Sequence, residues 1–143
     1  MPQMNPVNLA HVAAGHRFPP TPVDLSPERV GRYLDVLEAT ETHGEDGAAI
    51  VPPGAAATMA LGALLGQVHL PAGTLHSSQE VRMSGRLPVG AGATCAARIA
   101  NRSTRGGMVF LTLEFSLTAD DGGLTVLDGT ATLLAPESRQ ETT

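Results

Sequence analysis

Apolar and polar residues alternate with period two through most of the second half of the chain. Between Met108 and Thr118, Val109, Leu111, Leu113, Phe115 and Leu117 share one side. That is the pattern of a strand with one face in a core. Ala93 to Arg102 sets Cys95, Ala97 and Ile99 against Thr94, Arg98 and Arg102. Gln79 to Arg86 sets Val81 and Met83 against Glu80, Arg82, Ser84 and Arg86, and Leu124 to Leu134 is β-branched and apolar. Arg105-Gly106-Gly107 and Asp120-Asp121-Gly122-Gly123 read as hairpin turns between them. The expectation is a four-stranded antiparallel meander.

The first half has a different rhythm. Gly15 to Pro22 must be extended, because its prolines exclude a helix. A helix then starts at Ser26, with Ser as N-cap, Pro27 at the first helical position and Glu28 in the first turn. Val30, Tyr33, Leu34 and Leu37 give it one apolar stripe, fading near Ala39 into the polar stretch Thr40 to Gly47. Ile50-Val51-Pro52-Pro53-Gly54 leads into a second helix, about Ala55 to Val68, with only Thr58 and Gln67 polar. A helix that is apolar all round is buried or wrapped by other structure. Gly62 and Gly66 suggest close approach to a sheet or a partner helix, against their intrinsic helix cost. One sheet around one apolar helix is the economical packing, an α+β arrangement.

Composition narrows the function. The 143 residues suit a single domain, with a core of about 12–135 and a polar tail over 136–143. There are 14 acidic residues against 9 basic ones, and every basic one is Arg. A net charge of -5 offers no footprint for a phosphate backbone, so nucleic acid is not an expected partner. Without Lys there is no Schiff base and no P-loop. The lone cysteine, Cys95, excludes an internal disulfide framework and any paired-cysteine metal knuckle, and neither a metal nor a cofactor is expected. Prolines and glycines break the most apolar stretch, so no membrane span is expected, and the amino terminus lacks the regions of a signal peptide. The expected location is cytoplasmic.

Particular segments then stand in a familiar order. They are Gly15-His16 with its prolines, Ser26 to Tyr33 (SPERVGRY), Ile50 to Gly54 (IVPPG), and Gly73 to Glu80 (GTLHSSQE) followed by Gly85-Arg86-Leu87-Pro88-Val89-Gly90. Together they resemble the MaoC-like (R)-hydratases and dehydratases, in particular the FAS1-like dehydratase or N-terminal-half branch. The resemblance implies a hot-dog fold, in which an antiparallel sheet wraps one central helix. It also implies an acyl thioester of coenzyme A or an acyl-carrier protein as ligand, and a homodimer or hetero-oligomer with another hot-dog subunit.

MaoC-like hydratases carry an acid and a histidine in the pattern D-x-N-P-x-H ahead of the central helix. The matching stretch here is Glu38 to His43, which keeps the acid-to-imidazole spacing but has Thr40 and Glu41 where the family has Asn and Pro. Hydration needs one group to activate water and one to handle the α-carbon proton near neutral pH, work suited to His43 and a carboxylate such as Glu38. The same stretch also reads as a solvated acidic loop. His76 is a second candidate, or a residue that satisfies backbone groups where the chain enters the sheet. Gly54, Ala55 and Ala56 at the helix start and Gln79 in the first strand are candidate substrate contacts, the first three through backbone N–H groups that polarise a thioester carbonyl. The second helix holds no carboxylate, which weakens a thioesterase reading. The arginines at 82, 86, 98, 102 and 105 are either sheet surface or contacts to the carrier's phosphates. A hydratase or dehydratase is the leading expectation. The alternatives are an acyl-binding subunit without its own catalytic pair, or a hot-dog fold recruited to a cyclisation or elimination.

Overall fold

The structure is a computed structural model and describes residues 7–36, 42–43 and 49–137. Its centre is a five-stranded antiparallel sheet built from β2 (Arg17–Val23), β6 (Leu75–Met83), β7 (Ala93–Arg105), β8 (Met108–Ala119) and β9 (Thr125–Pro136). Their spatial order is β2-β7-β8-β9-β6. Around it lie β1 (Val7–Asn8), a 3-10 turn (Leu9–His11), α1 (Pro27–Val36), β3 (Thr42–His43), β4 (Ala49–Ile50), α2 (Pro53–Leu65) and β5 (Val68–His69).

The alternation read in the sequence sets the two faces of the sheet. Cross-strand partners Phe18, Ala97, Phe115, Gly129 and Val81 form one row across all five strands on the inner face. The next row on that face holds Cys95, Leu117, Leu127 and Met83. These rows pack with Leu61, Leu64, Met59 and the alanines of α2 in one apolar cluster. Leu64, Leu113 and Leu117 are fully buried, and each such side chain contributes about 1.5–3 kcal/mol relative to exposure. The outer face carries Arg17, Arg98, Glu114, Thr130 and Glu80 in the corresponding row.

Two features of the expected sheet need correction. The Gly15–Pro22 segment is not merely a lead-in, since Arg17–Val23 is the fifth strand and pairs with β7. Its prolines cannot donate to a ladder, which is tolerable because β2 stands at an edge. Nor is the sheet a meander: β6 pairs with β9 instead of the next strand in sequence. The chain between β6 and β7 runs past the start of α2, where the Leu87 carbonyl accepts from the Val51 N–H at 2.8 Å.

The helices are close to expectation. Ser26 caps α1, accepting from the Arg29 N–H through Oγ at 3.3 Å and from the Val30 N–H through its carbonyl at 2.9 Å. Asp24 accepts from the Ser26 N–H, and that bond holds its carboxyl below the usual value. The second helix begins at Pro53 and ends at Leu65, where the Gly66 N–H bonds to Gly62 and the Gln67 N–H tightens the turn onto Leu64. Val68–His69 then pairs in parallel with Val7–Asn8. One stripe of α2 stays exposed: Gly54, Thr58, Gly62 and Gly66. Of the two approaches expected at Gly62, the one to this chain's own sheet is not made, since a Cβ there would meet open space.

Candidate functional site

The start of α2 is built by the chain on both sides of it. Thr42–His43 pairs with Ala49–Ile50, so the backbone of His43 stands opposite Ala49, four residues ahead of Pro53. Ile50 bridges to Pro88, and Val51 is bonded to Leu87. The short hairpin is thereby tied to the amino-terminal end of α2. The first helical hydrogen bond runs from the Ala56 N–H to the Pro52 carbonyl at 2.9 Å. The N–H groups of Gly54 and Ala55 precede it and have no partner within the helix. Gly54 is exposed, whereas Ala55 and Ala56 are buried against the core. Glu38 lies outside the described residues.

His76 and Gln79 are placed elsewhere. Both are on β6, with His76 opposite Leu133 and Gln79 opposite Ala131, and therefore on the inner face. His76 is exposed and Gln79 half-buried. Within one chain, β6 starts near the turn after β5 and ends toward Leu87, where α2 begins. His76 thus sits at the far end of the strand from Gly54 and Ala55, about 20 Å along it at the rise of an extended chain. The structure brings His43 and the α2 start together and leaves His76 apart from them.

The arginines divide. Arg98 pairs with Glu114 at 2.5 Å across the outer face, and Arg82 stands opposite Asp128 on that face. An open depression of about 880 Å³ crosses this outer surface, bordered by Arg17, Arg82, Arg98, Glu80, Glu114 and Asp128. No α2 residue lines it, so the sheet separates it from the helix start. Arg102, expected beside Arg98, points the other way. A bulge between Ile99 and Asn101 shifts the register and sets Arg102 opposite Leu111 on the inner face. There its Nη2 donates to the Ala10 carbonyl at 3.0 Å, while its Nε is buried without a hydrogen-bond partner. Sequence alternation alone could not show this, because nothing in Ile99-Ala100-Asn101 signals a bulge.

Cys95 is buried in the core, and burial pushes its thiol up to about 11. It is a small core residue. Among the described residues, no group of three or more His, Cys, Asp or Glu could hold a metal ion, and no helix is long and apolar enough to cross a membrane.

Comparison of this architecture with solved structures gives a consistent answer. The (R)-hydratase of A. caviae involved in PHA biosynthesis matches with a TM-score of 0.71 and 18% identity, covering 88% of this chain and 98% of that one. The HadBC (3R-hydroxyacyl-ACP dehydratase) complex of Mycobacterium tuberculosis matches at 0.70 and 17%, over 89% and 100%. A Mycobacterium tuberculosis protein with a double hot-dog fold matches at 0.73 and 15%, over 97% of this chain and 47% of that one. The chain has the hot-dog fold. No protein-family model and no curated protein matches the sequence. The hot-dog assignment fits the wrapped helix α2 and the strand order, and the structures it resembles include MaoC-like dehydratases and (R)-hydratases.

Proposed function

We propose that this hot-dog chain handles an acyl thioester of coenzyme A or an acyl-carrier protein, and takes part in its reversible hydration or dehydration. In the hydration direction, water adds its oxygen to the β-carbon of an enoyl thioester and a proton to the α-carbon. The N–H groups at the start of α2 would bind the thioester oxygen as negative charge develops on it, which such donors do well in a site shielded from water. His43 and Glu38 would activate water and deliver the proton. The observation that supports this reading best is the β3–β4 hairpin, whose His43 backbone is tied to the helix end where the Gly54 and Ala55 N–H groups precede the first helical bond. The site would stand at the junction of two hot-dog units, either two copies or this chain with another subunit.

A second reading keeps the thioester and drops the chemistry. Glu38 to His43 has Thr40 and Glu41 where MaoC-like hydratases have Asn and Pro. On that ground the chain would be the acyl-binding partner of a catalytic subunit. The test is the loss of conjugated-enoyl absorbance when the purified protein meets a short-chain enoyl thioester. Turnover that falls about 10²–10⁴-fold in His43→Ala supports the catalytic reading. Saturable binding without turnover supports the second, and neither binding nor turnover refutes both.

A further inference from the structure

Two rows of outer-face side chains leave a trough running across the strands. One wall is Arg17, Arg98, Glu114, Thr130 and Glu80, cross-strand partners in that order from β2 to β6. The other is Pro20, Ala96, Ser116, Asp128 and Arg82, and both walls border the depression of about 880 Å³. Ala97, Phe115 and Gly129 lie between the two rows with their side positions turned to the inner face, so the floor is backbone. Four strand spacings make the trough about 19 Å long, and two residues of strand rise set its walls about 7 Å apart.

Charge is uneven along it. At the β6 end, Glu80 and Asp128 stand with Arg82, the direct cross-strand partner of Asp128. At the β2 end, Arg17 is the direct partner of Arg98, two like charges on Cα atoms about 5 Å apart. Like charges so placed repel and destabilise the pair. Glu114 answers only one of them. It pairs with Arg98 at 2.5 Å, and among the described residues Arg17 has no such carboxylate. The facing wall, Pro20 and Ala96, is exposed and uncharged. Two guanidinium groups against one carboxylate leave this end net positive, beside open space.

The donors present select the anion. An arginine fork offers parallel N–H groups that suit the oxygens of a carboxylate or a phosphate. One carboxylate is served by one fork. Two neighbouring forks offer more donors than a second carboxylate accepts and more charge than it cancels. A phosphate monoester has three terminal acceptor oxygens and a charge of about -1.5 to -2 near neutral pH, so it can bridge both arginines. The half-buried hydroxyl of Ser116, the cross-strand partner of Ala96, lies on the facing wall as a further donor.

We propose that the β2 end of this trough is a phosphate-binding site, in which Arg17 and Arg98 hold a phosphate group, free or carried by a small ligand, between them. The anion relieves the repulsion within the arginine pair. Glu114 competes with it for Arg98 and so lowers its affinity. No α2 residue lines the trough, and the sheet stands between it and the helix start. The ligand is therefore separate from the thioester assigned to that helix.

Binding of inorganic phosphate and of phenyl phosphate is measured by calorimetry, with ionic strength held constant by sodium chloride and melting curves confirming that each variant is folded. Binding should saturate at one site per chain. Arg17→Gln and Arg98→Gln should each weaken it about tenfold or more, the scale for losing a hydrogen bond to a charged group. Glu114→Gln should strengthen it, because Arg98 is then released to the anion. Arg105→Gln removes the same charge at the exposed end of β7 and should leave binding unchanged. Succinate, a dicarboxylate, should bind more weakly than phosphate. Tighter binding of phenyl phosphate than of the free ion assigns the site to an organic phosphate, and equal or weaker binding assigns it to the ion itself. No saturable phosphate binding, arginine variants at 17 and 98 that bind like wild type, Glu114→Gln binding no better, an equal loss in Arg105→Gln, or succinate as tight as phosphate would each overturn the proposal. None of these readouts involves thioester turnover.

Discussion

Phe115 lies over Gly129. The two are direct cross-strand partners on β8 and β9, and a Cβ built on Gly129 would come within 2.8 Å of the ring at Cε2. Phe115 is 3% exposed, so its ring has no free direction in which to move. An aromatic ring commonly covers a strand glycine in this way, and the flanking partners here, Ala97 and Val81, continue an alternation of small and large side chains under α2.

Gly129→Ala should therefore destabilise the protein by about 1–3 kcal/mol, the range for overpacking a filled core. Phe115→Leu on its own should also destabilise it, through lost volume. The two together should cost less than their sum, because the smaller side chain makes room for the added methyl. Urea denaturation of the four proteins checks this. Strict additivity would show that the ring is not seated on the glycine.

Cys95 should behave as an inert thiol. Its value near 11 comes from burial alone, so at pH 8 it stays protonated and shielded. Alkylation should be slow in the native protein and fast in denaturant, as followed by mass spectrometry. The shift also has a sign in stability. The folded state holds its proton more tightly than the unfolded chain, whose thiol titrates near 8.5–9. Stability from this group is complete below that value and is lost as pH rises through about 11. Cys95→Ala should flatten the alkaline decline, though it leaves a small void.

The sheet's alternation was legible because buried antiparallel strands must repeat every second residue, and from Met108 to Leu117 nothing obscures that rhythm. What escaped has particular causes. Arg17–Val23 is rich in proline, which hides a strand from any propensity argument, and only its edge position makes the prolines tolerable. The pairing of β6 with β9 depends on a long connection past α2 that no local pattern encodes. Arg102 changed faces through one bulge. At the candidate site, the Ile50 to Gly54 segment announced the helix start. His43 was named from its spacing to Glu38, and its closeness to that helix depends on two cross-strand pairs that the sequence does not advertise.

Arg102→Leu should loosen the amino-terminal segment before it unfolds the rest. The guanidinium donates to the Ala10 carbonyl, which lies in a turn whose Leu9 and Ala10 are buried. Losing that bond leaves the carbonyl unpaired at a cost of about 1–3 kcal/mol, offset by removal of the unpartnered Nε. Hydrogen exchange at residues 9–12 should accelerate well before the amides of β8 respond. Equal acceleration in both places would mean that Arg102 holds the whole fold and not this turn.

His43 and His76 can be tested together, because one chain separates them and a site at the junction of two hot-dog units would draw one from each. Take the case in which both imidazoles serve one site, His43 from the copy that supplies the start of α2 and His76 from the other. His43→Ala and His76→Ala would then each be inactive alone, since every site in either homodimer lacks one group. Refolding an equal mixture gives half heterodimers, and in each of these one site regains both histidines while the other loses both. About a quarter of wild-type turnover should return. If His76 only satisfies the edge of the sheet, His76→Ala keeps its activity and mixing adds nothing beyond dilution. If both histidines act within one chain, both variants are inactive and the mixture stays so. Measuring turnover before and after mixing therefore separates a site shared between copies from one contained in a single chain.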